Sequence, residues 1–139
     1  MRRPLHDIAT ATAVAAVLSG APSTTHALLT GRSPLAAARA AGTLWPGRRD
    51  RPGLVAGGAA HAAVSAGWGT VLGVALPRHH TVAWGALAGL GIAAFDLVVV
   101  GGRHVPAIAA LPQVWQWADH VAFGATVGWV LSRTDAAPA

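Results

Sequence analysis

Four apolar segments, each close to 20 residues long, constrain the fold of this chain more than any other feature. They cover residues 8–30, 54–76, 81–100 and 114–131. A helix needs about 20 apolar residues to cross the roughly 30 Å hydrocarbon core of a bilayer, and its backbone groups need partners inside the segment. The sequence therefore predicts an all-α integral membrane protein in which residues 1–139 form one membrane domain, a four-helix bundle.

The composition favours lipid as the solvent. Hydrophobic residues make up 53% of the 139 residues and charged residues 11%, whereas soluble domains have about 25% charged residues. A small soluble domain buries only about two-thirds of the surface that its unfolded chain exposes, so much of this apolar surface would stay in water. We expect a multi-pass protein of the cell (plasma) membrane. The chain has no cysteine, which excludes disulfides and thiol chemistry.

The basic residues, all arginines, lie in the gaps between the apolar segments. This placement is typical of flanks that contact anionic lipid headgroups, and with two Phe and no Tyr there is no aromatic platform for nucleic-acid bases. The predicted partner is the lipid bilayer, not nucleic acid. The arginines leave the orientation open under the positive-inside rule, because they divide six to four: Arg32, Arg39, Arg48, Arg49, Arg51 and Arg103 against Arg2, Arg3, Arg78 and Arg133.

The first segment is the weakest of the four, because the polar and small residues 19–26 interrupt it. Pro22 is expected to kink the helix there. An alternative interpretation is a cleaved signal peptide, with basic residues before an apolar stretch at 8–18 and small residues after it. Cleavage would leave three spans. Asp7 at the edge of the apolar stretch and the renewed apolar run at 28–29 speak against it.

The connection between the first two segments is predicted to contain a short interfacial helix at residues 34–45. Ser33 suits its N-cap, Arg39 suits snorkelling to the headgroups and Trp45 suits an interfacial anchor. A helical loop without lipid contact is the alternative. The tail 133–139 is expected to be flexible.

Glycines four residues apart occur in each of the last three segments. Residues four apart lie on one face of a helix, so each pair makes a groove that lets another backbone approach closely. Packing within the chain is the first interpretation, and contact between copies in a homo-oligomer, or with a membrane partner, is the alternative. The pairs are Gly69 and Gly73, Gly85 and Gly89, and Gly124 and Gly128.

Five ionisable residues lie within the predicted spans, where such side chains are costly and by default mark a function. Antiparallel threading puts all five at a similar depth, roughly 5–11 Å from one interface at about 1.5 Å per residue. They form a candidate polar or ion cluster: His26, His61, Asp96, Asp119 and His120.

Three interpretations of this cluster remain open. It is a polar network that locks the helices, a divalent metal site, or a path for protons or ions. No HxxxH or HExxH spacing supports a metal site, and no catalytic motif is present. We therefore expect a non-enzymatic membrane component with no catalytic residue, no resident metal and no cofactor. A small proton, ion or metal transporter or channel that uses the Asp/His cluster is the alternative.

Several stretches resemble a family of small uncharacterised polytopic membrane proteins from high-GC, actinobacterial-type bacteria. They are ALLTGRSPLAA at 27–37, AAGTL at 40–44, HAAVSAGWG at 61–69 and ADHVAFG at 118–124. The likeness extends over most of the chain. It implies a four-span fold with the first segment retained, and it assigns no catalytic or binding residue.

Overall fold

The computed structural model describes residues 2–136, and this part of the chain is helical with no strand. Four long elements run antiparallel in chain order, and the first of them is broken into two helices. The helices are α1 (Leu5–Leu18), α2 (Ala21–Leu29), α3 (Ala36–Ala41), α4 (Leu54–Ala75), α5 (Thr81–Ala93), α6 (Gly102–His104), α7 (Pro106–Ala109) and α8 (Gln113–Asp135). A 3₁₀ turn (Gly42–Leu44) follows α3, and a π-helical segment (Ala94–Gly101) continues α5.

Within residues 2–136, one helix is long and apolar enough to cross a membrane. It is formed by α5 and the π-helical segment, Thr81–Gly101, with 21 residues and a mean hydropathy of 1.9. Helix α4 has 22 residues and no charged side chain, but its many glycines and the polar His61 lower its hydropathy. The all-α class is confirmed.

The break in the first element lies at Ser19 and Gly20, before Pro22. The predicted single segment at 8–30 is therefore two helices of 14 and 9 residues. Pro22 is in the first turn of α2, where its missing N–H would have had no partner inside the helix. Proline thus starts the second helix and does not kink a continuous one.

The predicted helix at 34–45 is shorter in the structure. The Ser33 side-chain oxygen accepts a hydrogen bond from the Leu35 N–H at 3.3 Å, which closes a turn and delays the start of α3 to Ala36. At the other end, Gly42 packs on the backbone of Gly53, and the chain tightens there into the 3₁₀ turn. Helix α3 and the 3₁₀ turn together cover residues 36–44, within two residues of the predicted range at each end.

The predicted flexible tail at 133–139 is also corrected. Helix α8 continues to Asp135, because the Asp135 carboxylate pairs with Arg3 and Arg78. Residues 137–139 of that prediction lie outside the described residues.

Helices α5 and α8 have the most extensive backbone contact in the described part of the chain. Four of their glycines lie so near the facing backbone that an added Cβ would overlap it: Gly85 meets the Gly124 carbonyl oxygen, Gly89 that of His120, Gly124 that of Gly85, and Gly128 that of Thr81. Small residues allow such an approach, and it brings many atoms into van der Waals contact. The glycine spacing therefore allows the backbones of α5 and α8 to pack closely within one chain.

Helix α8 is central, since α1, α2, α4 and α5 all contact it. Its buried side chains Phe123, Val127 and Leu131 meet Ala11 of α1 and Leu72 of α4 in the apolar core. Helix α1 also packs against α4, where Gly69 faces Thr12 and Gly73 faces Ile8. Helix α3 lies on the first turns of α4, with Gly57 against the Ala38 carbonyl oxygen. In contrast, α4 and α5 touch little through their backbones.

One end of the bundle is closed by Arg3, whose side chain is only 4% exposed. The guanidinium donates to the carbonyl oxygens of Leu76 at 2.7 Å and Gly73 at 3.1 Å, where α4 ends. The same group forms an ion pair of 2.8 Å with Asp135, and Arg78 pairs with the other oxygen of Asp135 at 2.7 Å. Arg3 thus donates to carbonyl oxygens at the end of α4 that have no partner inside the helix. Through the same side chain, the segment before α1 and the end of α8 are joined to the end of α4.

Replacing Gly85 by Ala is expected to lower the free energy of unfolding by about 1–3 kcal/mol, the usual range for overpacking. The matched control is Gly91→Ala on the same helix, where a Cβ meets nothing within 4 Å. That variant should be neutral or more stable by about 0.5–1 kcal/mol, because Gly is a poor helix former. Unfolding of the purified variants by a denaturing detergent measures both. Equal effects of the two substitutions would contradict the close α5–α8 contact.

Replacing Arg3 by Gln is expected to lower the stability by about 3 kcal/mol, because it leaves Asp135 in a largely buried place with a weaker partner. Arg2→Gln removes an exposed arginine one residue away and should change the stability by less than about 0.5 kcal/mol. The same unfolding measurement compares them. Equal losses of stability in the two variants would show that the Arg3–Asp135 ion pair does not stabilise the fold.

Candidate functional site

Asp96 and His120 form an ion-pair contact between the π-helical segment and α8. The His120 Nε2 lies 3.4 Å from the Asp96 Oδ2, and the two side chains are 23% and 21% exposed. The other ring nitrogen, Nδ1, donates to the carbonyl oxygen of Gln116 at 2.7 Å. Because Gly89 packs directly on the backbone of His120, the two helices are close enough for this pair to form.

Trp68 of α4 completes the surroundings of Asp96. Its indole N–H donates to both carboxylate oxygens, at 3.0 Å and 3.3 Å, and its ring meets the edge of Phe95 at 5.9 Å between centroids. The side chain bridges α4 and α5 where their backbones are apart. Sequence reasoning missed Trp68, although it lies seven residues after His61 and so on the same helical face.

Asp119 caps the start of α2 from a neighbouring helix. Its Oδ1 accepts a hydrogen bond of 2.9 Å from the backbone N–H of Ser23, the third residue of α2. The first N–H groups of a helix have no partner within it, and the helix dipole favours a negative charge at this end. The Asp119 side chain therefore acts as an N-terminal cap of α2 that comes from another helix.

His61 forms a hydrogen bond with the backbone on the other side of the same break. Its Nε2 donates to the carbonyl oxygen of Ala16 at 2.9 Å. Ala16 is one of the last four residues of α1, whose carbonyls have no donor inside the helix. His61 from α4 and Asp119 from α8 thus satisfy backbone groups on both sides of the Ser19–Gly20 interruption.

His26 is separate from the other members of the predicted cluster. Its ring stacks on Trp115, with centroids 4.8 Å apart and planes at 16°. In the described part of the chain, no three His, Asp or other potential ligand residues converge on a point that could hold a metal ion. The structure therefore divides the five residues into one pair (Asp96 and His120), two capping residues (His61 and Asp119) and one stacked ring.

Comparison with protein-family models, with curated proteins and with solved structures finds no match for this chain. In residues 2–136, every buried side-chain nitrogen or oxygen has a hydrogen-bond partner. Such a satisfied network fixes one arrangement of the helices, since each partner is specific in position and direction.

Replacing Asp119 by Ala is expected to destabilise the protein by about 1–2 kcal/mol, the upper range for loss of a helix N-cap. Asp119→Asn is the matched control, because its amide oxygen still accepts from the Ser23 N–H while the charge is removed. That variant should lose much less. Hydrogen exchange at the start of α2 gives a local readout and should accelerate in the Ala variant alone. Unchanged exchange there would show that Asp119 does not cap α2.

Proposed function

We propose that this chain is a four-span integral protein of the cell membrane that acts as a non-enzymatic membrane component. The spans are α1 with α2, α4, α5 with the π-helical segment, and α8, and α3 lies at one interface. The proposal rests on the hydrogen bonds that satisfy the backbone at the break in the first span. In lipid every backbone polar group needs a partner from the protein, and His61 and Asp119 supply partners on both sides of the break.

The dimensions support this proposal. Helix α4 has 22 residues and α8 has 23, so each is about 33–35 Å long at 1.5 Å per residue. A span across the hydrocarbon core needs about 30 Å. The two helices of the first element together have a similar length. All four elements are therefore long enough to cross the same layer.

The outward surface supports the proposal as well. Large apolar side chains point away from the bundle on every long element, and Val55 of α4 is 91% exposed. Soluble monomers rarely expose a continuous apolar surface of this extent, whereas lipid tails would cover it at no cost. Examples are Val17, Leu29, Val55, Val71, Val74, Leu87, Leu90, Val98 and Trp129.

The contacts of α1 favour retention of the first segment over cleavage of a signal peptide. Helix α1 packs between α4 and α8, and its buried residues Ala11 and Ala15 belong to the core. Arg3 ahead of it joins the ends of α4 and α8. Removal of this segment would expose the core and leave Asp135 without Arg3.

The glycine pairs are occupied by contacts within the chain, so we assign them to internal packing and not to contact between copies. The bilayer is the proposed partner. A second candidate function, movement of a proton across the membrane, is favoured by one observation. The Asp96–His120 pair lies beside an interrupted helix, and interrupted helices occur at the binding sites of transporters.

A topology experiment tests the four spans, and the absence of native cysteine makes it direct. Single cysteines at Arg2, His79 and Ala136 are predicted to react with a membrane-impermeant maleimide from one side of the membrane. Cysteines at Arg48 and Ala110 are predicted to react from the other side. Intact cells and inverted vesicles should therefore give opposite labelling patterns.

Val71→Cys, on the lipid-facing side of α4, is the control and should react only after detergent is added. Reaction of the cysteines at positions 48 and 79 from the same side would contradict α4 as a span. Release of the protein by an alkaline wash would contradict integral insertion altogether.

A further inference from the structure

Both ring nitrogens of His120 face oxygen atoms. The Nδ1 lies 2.7 Å from the carbonyl oxygen of Gln116, which can only accept a hydrogen bond, so this nitrogen carries a hydrogen. The Nε2 lies 3.4 Å from the Asp96 Oδ2. A neutral imidazole has a single N–H, and here that hydrogen is already engaged by Gln116.

Without another proton, the lone pair of Nε2 would point at an ionised carboxylate oxygen, and the two would repel. A proton between them turns the repulsion into a charge-assisted hydrogen bond. We propose that Asp96 and His120 form a proton-binding site, which holds one proton at neutral pH and thereby joins the π-helical segment to α8.

Trp68 determines where the proton lies within the pair. Its N–H points at both oxygens of Asp96, which favours the ionised carboxylate and therefore the imidazolium form of His120. The pair then has no net charge, as a partly buried site requires, because an isolated charge there would be costly to desolvate. The proton comes from solvent and returns to solvent, and no other reactant is needed.

The other titratable groups near the pair have hydrogen-bond or stacking partners of their own, and the charge of Asp119 adds to the attraction that Asp96 exerts on a protonated His120. Asp119 is the neighbour of His120 in the chain, but adjacent side chains diverge by about 100° on a helix, and its Oδ1 accepts from Ser23. His61 of α4 donates to Ala16, and His26 of α2 stacks on Trp115. Asp96 is therefore the carboxylate that accepts a hydrogen bond from a protonated His120 Nε2 and so keeps the second proton on the ring.

The protonation of the ring nitrogens tests this assignment directly. The full chain is labelled with ¹⁵N-histidine and studied in lipid nanodiscs at pH 7.5. The chain has seven histidines, and the spectrum of His120→Asn identifies the His120 signals by their loss. The expected result is two protonated ring nitrogens on His120.

Asp96→Asn should remove the Nε2 proton at the same pH while its amide oxygen still accepts from Trp68. His61→Gln is the matched control and should leave the His120 signals unchanged. A wild-type His120 with one protonated nitrogen, together with an ionised Asp96 carboxylate in the ¹³C spectrum, would overturn the proposal. A proton found on the Asp96 carboxyl would support the site and place the proton on its other member.

Stability against pH provides a second measurement that needs no assignment of signals. Histidine in the unfolded chain titrates near pH 6.5, so above about pH 7 the native pair binds a proton that the unfolded chain has lost. Stability should then fall as pH rises, until the native pair also releases its proton. The wild type should show a drop in melting temperature between pH 7 and pH 9 that Asp96→Asn lacks. Parallel curves for the two proteins would contradict the site.

Discussion

The rest of the structure depends on the backbone contact between α5 and α8. Gly85 and Gly89 on one helix face Gly124 and Gly128 on the other, and a single methyl group at these positions would separate the two backbones. The contact does more than pack two helices. Because Gly89 lies on the backbone of His120, it sets the distance at which the π-helical segment, about two turns further along the chain, presents Asp96 to the imidazole. Close apolar packing and the polar pair are thus two results of one geometry.

The interrupted first element follows a related principle. A helix that stops within a packed bundle leaves carbonyl and N–H groups without partners inside the helix, and other parts of the protein can satisfy these groups. His61 and Asp119 come from two different helices to do this, and Arg3 does the same for the end of α4. These side chains are polar because backbone groups of neighbouring helices need them. A charged or ionisable residue in an apolar segment can therefore have a structural reason that is invisible in its own helix.

This dependence on other helices explains how far the sequence could be interpreted. The glycine spacing and the apolar segments predict helices and a packing face, because both depend on local periodicity. The similar depth of His61, Asp96, Asp119 and His120 follows from antiparallel threading. Their separate partners do not follow from it, since the break at Ser19 creates the backbone groups that His61 and Asp119 satisfy, and Asp96 lies in a π-helical segment that local periodicity does not predict.

The arginines and Trp68 show the same limit. Arg3 appears in the sequence as one of two adjacent basic residues before an apolar segment, and such a pair suggests a solvated flank. It becomes a buried ion-pair partner only because α4 ends, and α8 ends, at the same place. Asp135 was expected in a flexible tail for the corresponding reason, since its two arginine partners are distant in the chain. Trp68 was not among the residues predicted from the sequence, because its role is set by a carboxylate on a segment that its own backbone hardly touches.

The carboxylates of Asp135 and Asp96 have partners that respond differently to pH. Asp135 is held by two arginines, which stay charged at every physiological pH, so that end of the molecule is permanently joined. Asp96 is held by a histidine and an indole N–H, and histidine is the side chain whose charge changes near neutrality. If the pair loses its proton, only the hydrogen bond from Trp68 still holds Asp96, and that bond leads to α4, which has little other contact with α5. The end of the bundle that contains the broken helix is therefore the one whose helix contacts can respond to protons, while at the opposite end Arg3 and Arg78 stay paired with Asp135.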